Sequence, residues 1–285
     1  MCYVNCKLCP RQCGVDRTRG QTGFCGGGQK ALVAKAMIHK WEEPVLAGPG
    51  GSGAIFFGGC TLGCRYCQNR EISRGPAGQE MDDKALRLLM EKLIAQGAEN
   101  IDLVTPTQFL PTILPALRKP LAVPVVYNCG GYERRETIEK LKGLVDVFLP
   151  DMKYGSNPLG MALSGVSDYF EVAADAISAM AEIAGPPQFQ GERLVKGVLI
   201  RHLILPGHVE NTLKVLDWIG ETFAPGQVLV SLMRQYTPMS GMEPPFDRRV
   251  TDEEYDGALS WMYLNGIKGF TQEKEAAESS FIPDF

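Results

Sequence analysis

The sequence has no apolar run near the roughly 20 residues needed to cross a bilayer, and its amino terminus lacks the basic-then-apolar pattern of a secretory leader. It also lacks an excess of positive charge: 29 Lys+Arg stand against 33 Asp+Glu, a formal net charge of −4. Such a chain offers no field that would gather nucleic-acid phosphates or an anionic membrane surface. Neither nucleic acid nor membrane is expected as a partner, and the expected location is the cytoplasm. Fixed-period repeats and low-complexity tracts are absent too, which argues against a solenoid. What the chain does have is cysteine, nine in 285 residues, with eight of them between Cys2 and Cys67. Disulfides seldom persist in a reducing compartment, so this crowding favours metal ligands over scattered thiols. Cys129 stands apart, as a buried thiol or one near a pocket.

With 45% hydrophobic and 22% charged residues, the chain can fill one large core as a single main domain. Residues 1–52 are rich in Gly and Cys and short of helical periodicity, so they predict a loop-dominated segment. From 53 to 271, short apolar runs alternate with amphipathic stretches, the pattern of repeated βα units around a parallel sheet. Strands are expected at 54–59, 101–105, 123–128 and 145–151, within 194–205, and at 228–233. Helices are expected at 82–96, 110–119, 133–141, 169–184, 210–223 and 252–264. Leu86, Leu89, Met90 and Leu93 form the stripe that would face the sheet. Residues 272–285 form a carboxy-terminal tail. The fold class is thus α/β, a βα barrel whose functional residues belong where the strands end.

Cys60-Thr61-Leu62-Gly63-Cys64-Arg65-Tyr66-Cys67 directly follows the first expected strand and sets three thiols on one Gly-rich loop. Three cysteines leave one iron of a [4Fe–4S] cube without a protein ligand, open to a substrate or cofactor. A structural zinc knuckle or half of a ferredoxin site is the plainer alternative on spacing alone. The C-x3-C-x2-C spacing, with an aromatic before the last Cys, resembles the radical S-adenosylmethionine (SAM) superfamily. The wider run GAIFFGGCTLGCRYCQNR over 53–70 is similar to the branch of the pyruvate formate-lyase activating enzymes, which act on glycyl-radical enzymes. The resemblance implies a partial (β/α)6 TIM-type barrel, SAM bound to the open iron, and a 5′-deoxyadenosyl radical made by one-electron reduction. It also places Tyr66 against the adenine, where its other role would be packing under the loop.

Further strand ends extend the resemblance. Asp151 and Lys153 match an Asp-x-Lys pattern, as ligand contacts or as an ion pair at the rim. Ser164-Gly165-Val166-Ser167 echoes the same enzymes. Arg201, ahead of an apolar run and Pro-Gly, matches the arginine whose planar fork suits the SAM carboxylate. His202, on the opposite strand face, reads as a satisfied histidine between strand and helix rather than a base. One departure matters. Many relatives carry Gly-Gly-Glu after the second strand to take the SAM amino group, and this chain has Val104-Thr105-Pro106-Thr107 there. Thr105, Thr107 and Asn128 could accept that ammonium instead, or could simply shape turns. Gln235 would face the ribose or cap a loop.

Cys6, Cys9, Cys13 and Cys25 offer four ligands in a segment with little apolar residue of its own, where metal binding and folding would be one event. Spacing leaves zinc and a second iron–sulfur cluster both open, and Cys2 falls outside this set. The resemblance implies an activating-enzyme-like oxidoreductase that abstracts hydrogen, from a protein glycine, a peptide or a small molecule. It also implies a one-electron reductant such as flavodoxin or ferredoxin. The non-enzymatic alternative is an iron–sulfur or zinc scaffold.

Overall fold

The computed structural model describes residues 3–75 and 78–272, so Cys2 and all of the expected tail but Gln272 lie outside the described residues. Each of the six expected strands is present: β2 (Ser52–Phe57), β4 (Ile101–Val104), β5 (Val125–Cys129), β6 (Val147–Pro150), β8 (Arg193–Leu203) and β9 (Leu229–Met233). They pair in parallel in the order β2-β4-β5-β6-β8-β9, and β10 (Gly269–Thr271) adds a further parallel edge. The expected helices follow them as α3 (Asp83–Ala95), α4 (Leu110–Ala116), α5 (Arg135–Ile138), α7 (Tyr169–Ala184), α8 (Val209–Thr222) and α9 (Asp252–Leu264). The result is a mostly parallel α/β sheet of the partial TIM type.

Alternation sorts the strand residues onto two buried faces, as an all-parallel sheet requires. Ile55, Phe57, Ile101, Leu103, Tyr127, Phe148, Ile200 and Val230 pack with Leu86, Met90 and Leu93 of α3 and with α7 and α8. The other face, carrying Val126, Val147, Leu149, Leu199 and Leu229, closes on Leu46 of α1 (Pro44–Ala47). That short helix is a plug inside the curved sheet.

The amino-terminal segment departs from the loop-dominated expectation. Residues 31–39 form the strand β1 (Ala31–His39), antiparallel to β2 on one side and to β3 (Gln79–Met81) on the other. Its Ala31-Leu-Val-Ala-Lys-Ala stretch is too rich in alanine to show a strand's alternation, and pairing with β2 decides its form. Before it, residues 3–30 carry a single 3-10 turn, Arg17–Arg19. Three further elements, α2 (Arg70–Ser73), α6 (Asn157–Ser164) and β7 (Gln188–Gln190), lie in connections the sequence pattern leaves unassigned.

Candidate active site

The sheet's curvature brings the carboxyl ends of β4, β5, β6, β8 and β9 around one cavity of about 320 Å³. Cys60, Cys64 and Cys67 all line it. Their loop leaves β2 through Gly59 (φ +77°) and turns again at Gly63 (φ +72°), backbone angles in the region that glycine enters without a Cβ clash. A side chain at Gly59 would also run into the Cys25 carbonyl.

Each of the three sulfurs accepts a protein hydrogen bond. The Leu62 N–H donates to Cys60 Sγ at 3.4 Å, the Ser164 hydroxyl to Cys64 at 3.2 Å and the Ser73 hydroxyl to Cys67 at 3.5 Å. Burial, and then the neighbouring Cys64 sulfur, push the Cys60 thiol up to about 12, so a cation is needed to ionise it. Among the described residues no three His, Cys, Asp or Glu side chains gather closely enough to hold a single metal ion. A cube of four irons would take the three thiolates on separate corners and leave its fourth iron without a protein ligand.

Tyr66 is buried against Tyr154 and Tyr236, with ring centroids 6.4 and 6.2 Å away, and lines the same cavity. Gln235 lines it too, and its carbonyl accepts from the Gln68 amide at 3.4 Å. Thr105 lines it in a left-handed conformation, φ +57°, that a β-branched residue rarely takes. Its carbonyl is held by the Gln108 amide at 2.9 Å and its N–H by Asn128 O at 2.8 Å.

Asn128, Asp151, Lys153 and Arg201 come together, but chiefly with one another. The Arg201 guanidinium donates to Asp151 Oδ1 at 2.9 Å and to Asn128 Oδ1 at 2.6 Å, and reaches Glu42 Oε1 at 3.5 Å. Lys153 Nζ donates to the other Asp151 oxygen at 2.7 Å. The ion pair at the rim, one of the two roles the sequence left to Asp151 and Lys153, is therefore formed. Although burial opposes it, Arg201 and then Lys153 hold the Asp151 carboxyl below the usual carboxylate range. The Asn128 amide, offered as an ammonium acceptor, gives its oxygen to Arg201 and its N–H to Asp102 Oδ2 at 3.2 Å. The Arg201 fork, offered to a carboxylate, is mostly taken by protein acceptors.

Thr107 is fully buried, its hydroxyl bonded to Tyr127 Oη at 2.8 Å and donating to Glu133 Oε1 at 2.7 Å. It braces Glu133, which the sequence reading passed over. Glu133 is 2% exposed and lines the cavity, and its Oε2 is buried without a partner. Burial pushes this carboxyl up to about 8, against the pull of the Thr107 hydroxyl. Glu42 and Glu43, from the loop that enters α1, were passed over as well. Glu43 Oε2 accepts from Ser231 at 3.1 Å, and burial raises it to about 7 despite Arg201 nearby. The sole signal for these three was acid beside an aromatic or a proline, Tyr132-Glu133 and Glu42-Glu43-Pro44, with no periodicity to place them. His202 matches its sequence reading: it lies on the opposite strand face between Met152 O at 2.5 Å and the Thr212 hydroxyl of α8 at 2.9 Å.

The amino-terminal cysteines lie beside this site. Arg11 donates to the carbonyls of Thr61 and Leu62 at 3.1 Å each, to Ser164 O at 3.1 Å and to Gly165 O at 3.2 Å. Arg134 and Thr137, beyond β5, bind Lys7 O and Leu8 O at 2.8 Å each.

Comparison with known proteins agrees with this geometry. An uncharacterized protein of Methanocaldococcus jannaschii, MJ0674, is 32% identical over 271 residues, covering 90% of this chain and 74% of that protein. A radical SAM methyltransferase from Sphaerobacter thermophilus shares the fold at a TM-score of 0.53 and 12% identity, over 78% of this chain and 66% of that one. Streptococcus suis SuiB bound to S-adenosylmethionine does so at 0.53 and 12%, over 78% and 50%. The same protein bound to precursor peptide SuiA matches at 0.53 and 13%, over 76% and 47%. The chain thus spans two thirds or less of these three solved chains. The profile of the Radical SAM superfamily, whose enzymes use a [4Fe–4S] cluster and SAM, matches residues 54–219, more than half the sequence, and the chain belongs to that superfamily.

Proposed function

We propose that this chain cleaves SAM reductively at a [4Fe–4S] cluster held by Cys60, Cys64 and Cys67, and that it abstracts hydrogen from a protein or peptide. The observation that carries the reading is the convergence of three hydrogen-bonded sulfurs on one cavity with Tyr66, Thr105 and Glu133. When bound, the cluster and SAM together supply one-electron cleavage of the sulfonium and a 5′-deoxyadenosyl radical.

The chain's own residues bind and position. Glu133 would take the SAM ammonium on its free Oε2, because an unpaired buried carboxylate oxygen is expensive until a cation reaches it. That carboxylate comes from the loop after β5 and stands against Thr107, on the loop after β4 where relatives carry their glutamate. Tyr66 would offer its ring to the adenine, and Gln235 a polar wall to the ribose. Arg201, Asp151, Lys153 and Asn128 form a closed network that keeps the cavity floor charge-balanced and fixed. The free arm is the weakly engaged Nη1, which would be the donor for the SAM carboxylate. Thr105 would hold the turn that admits the ammonium end.

A protein or peptide substrate is supported by the likeness of 53–70 to the activating enzymes and by the fold shared with SuiB, whose structure holds a peptide. A backbone glycine is the corresponding hydrogen donor, and a low-potential flavodoxin or ferredoxin the corresponding reductant. The test is anaerobic reconstitution with iron and sulfide, then SAM and dithionite, with 5′-deoxyadenosine measured. Glycine-deuterated peptides and glycyl-radical enzymes are then screened for deuterium transfer into that product. Absence of 5′-deoxyadenosine from a fully reconstituted, reducible protein overturns SAM cleavage. Its formation with deuterium gained solely from small molecules overturns the protein substrate.

A further inference from the structure

Cys6, Cys9 and Cys25 are buried and Cys13 is exposed, in a segment whose own apolar cluster consists of Tyr3, Cys6 and Leu8 with Val15 against them. The sulfurs themselves make up much of what little core this segment has. Its turns are tight. The Gly14 N–H bonds Cys6 O at 3.0 Å and the Gln12 N–H bonds Cys9 O at 3.1 Å, which curls Cys6, Cys9 and Cys13 round one loop. Asn5 and Gln12, neither of them glycine, hold φ of +51° and +42° in the left-handed region. The stretch 23–25 closes on that loop. A Cβ at Gly23 would come within 2.8 Å of Cys13 Sγ, and the Phe24 N–H donates to the same sulfur at 3.4 Å. Cys25 follows directly.

Arg17 supplies an observation independent of the cysteines. It is 4% exposed, donates to Gln108 O at 2.7 Å and to Cys25 Sγ at 3.2 Å, and leaves its Nε buried with no partner. Among the described residues it forms no ion pair with a carboxylate; its other close neighbour is the Tyr3 ring, 5.6 Å away. A guanidinium is always charged, and a buried charge is retained only against a compensating one. The side chain within reach that can carry that charge is a thiolate, and buried thiols ionise when metal holds them. Four thiolates on a metal centre leave it negative, which is what Arg17 lacks. The contact of this segment with the root of the Cys60–Cys67 loop favours a centre that can exchange electrons with that loop over zinc, which has no redox chemistry.

We infer that Cys6, Cys9, Cys13 and Cys25 bind a second iron–sulfur cluster, held as an anion against Arg17. Unlike the first site it has four protein ligands, so no iron is left open and its part is electron storage or transfer rather than SAM binding. Its position suits that part. The Cys25 carbonyl abuts Gly59 at the root of the first loop, and Arg11, within the second loop, grips Thr61 and Leu62 of the first.

This inference stands independently of SAM cleavage, and the test keeps the two apart. Full-length protein is reconstituted anaerobically with iron and sulfide, alongside a variant carrying Cys60→Ala, Cys64→Ala and Cys67→Ala, and another carrying Cys9→Ala and Cys25→Ala. The expected iron content is about eight per chain in the parent and about four in each variant, with a reducible cluster signal in both. The full-length parent alone decides if a variant fails to fold: about four irons overturns the inference, as does one tightly held zinc per chain. Arg17→Gln should keep the iron and move the midpoint potential of the second cluster to a more negative value, because a cation and a hydrogen bond to sulfur are lost. An unchanged potential would remove Arg17 from the site.

Discussion

The two cysteine loops touch, yet they are held in place by different means. Cys60 to Cys67 hang from β2, a strand whose six residues are all buried and which pairs on both sides. Their loop is rooted in the sheet. Cys6 to Cys25 belong to a stretch with one 3-10 turn and a four-residue apolar cluster, docked by Arg11, Arg17, Arg134 and Thr137 onto loops that the sheet positions. Polar docking of this kind contributes about 1 kcal/mol per hydrogen bond, too little to order some 25 residues against about 1–2 kcal/mol of backbone entropy each. On the two proposals above, one loop presents its sulfurs to a metal while the other would need the metal to stay folded.

Metal removal tests this difference most sharply. Stripping the reconstituted protein with a chelator and reductant should abolish SAM cleavage completely, and hydrogen exchange read on the same sample should separate the loops. Amides of β2, β4, β5 and β6 should remain protected, whereas those of residues 3–28 should exchange freely. Equal protection of both segments in the stripped protein would erase the distinction. Next in size is Arg201→Leu, which strikes the sheet-built side alone. Asp151, Asn128 and Glu42 would lose their common donor and leave buried charge uncompensated, at a cost of about 3–5 kcal/mol. A fall in the thermal midpoint of on the order of 10 °C is expected, with the iron bound at Cys6 to Cys25 unchanged. A midpoint within a degree of the parent would mean that the network carries no stability.

How far the sequence foresaw these two sides follows the same line. The six strands and their helices were legible because burial on two faces forces continuous apolar runs, and no other pattern in the chain competes with them. The spacing of Cys60, Cys64 and Cys67 placed them on one loop, and the structure confirms their common cavity. Contacts across the sheet were not legible. Arg201 was chosen for a ligand's carboxylate, but whether Asp151 and Asn128 would claim its fork depends on three strand ends meeting. Thr107 carried a hydroxyl in the right loop and the structure turns it to Glu133 and Tyr127. Glu42, Glu43 and α1 were hidden because a plug inside a curved sheet needs one apolar residue, Leu46, and four residues show no period. β1 was missed since its alanines blur a strand's alternation, and pairing with β2 and β3 decides its form.

His202 gives a smaller and pH-dependent test, on the sheet side and on the strand face opposite Arg201. Burial lowers its pKa from 6.5 to about 4, partly offset by its bond to Met152 O. The unfolded chain takes up a proton near 6.5 while the folded chain refuses it until about 4. The sign follows: this contribution is full above pH 6.5 and is lost progressively as pH falls through that window, about 3 kcal/mol in all. Denaturant titrations between pH 7 and pH 4 should show the loss, and His202→Gln, which can keep a bond to Thr212, should flatten it. A variant with the parent's pH slope would place the acid sensitivity in the carboxylates instead.

The smallest effect concerns the residue that stands between the two loops. Glu133 lines the cavity of Cys60 and Cys64, is braced by Thr107, and lies close enough to Cys9 to weigh on that thiol. Its free oxygen could in principle serve either side, and Glu133→Gln separates them, because the amide keeps the shape and the Thr107 bond but gives up the charge. If Glu133 receives the SAM ammonium, the variant loses one charge-assisted hydrogen bond worth about 1.5–3 kcal/mol. The KM for SAM should then rise roughly 10- to 100-fold, since each 1.4 kcal/mol is a factor of ten, with the rate at saturating SAM nearly intact and the iron content unchanged. If the carboxylate acts instead on the cysteine loop beside Cys9, the pattern inverts. Removing an anion near an anionic centre would raise the potential of the second cluster and leave the KM where it was. The cavity lining and the Thr107 brace favour the first outcome, and an unaltered KM in a variant with full iron would overturn it.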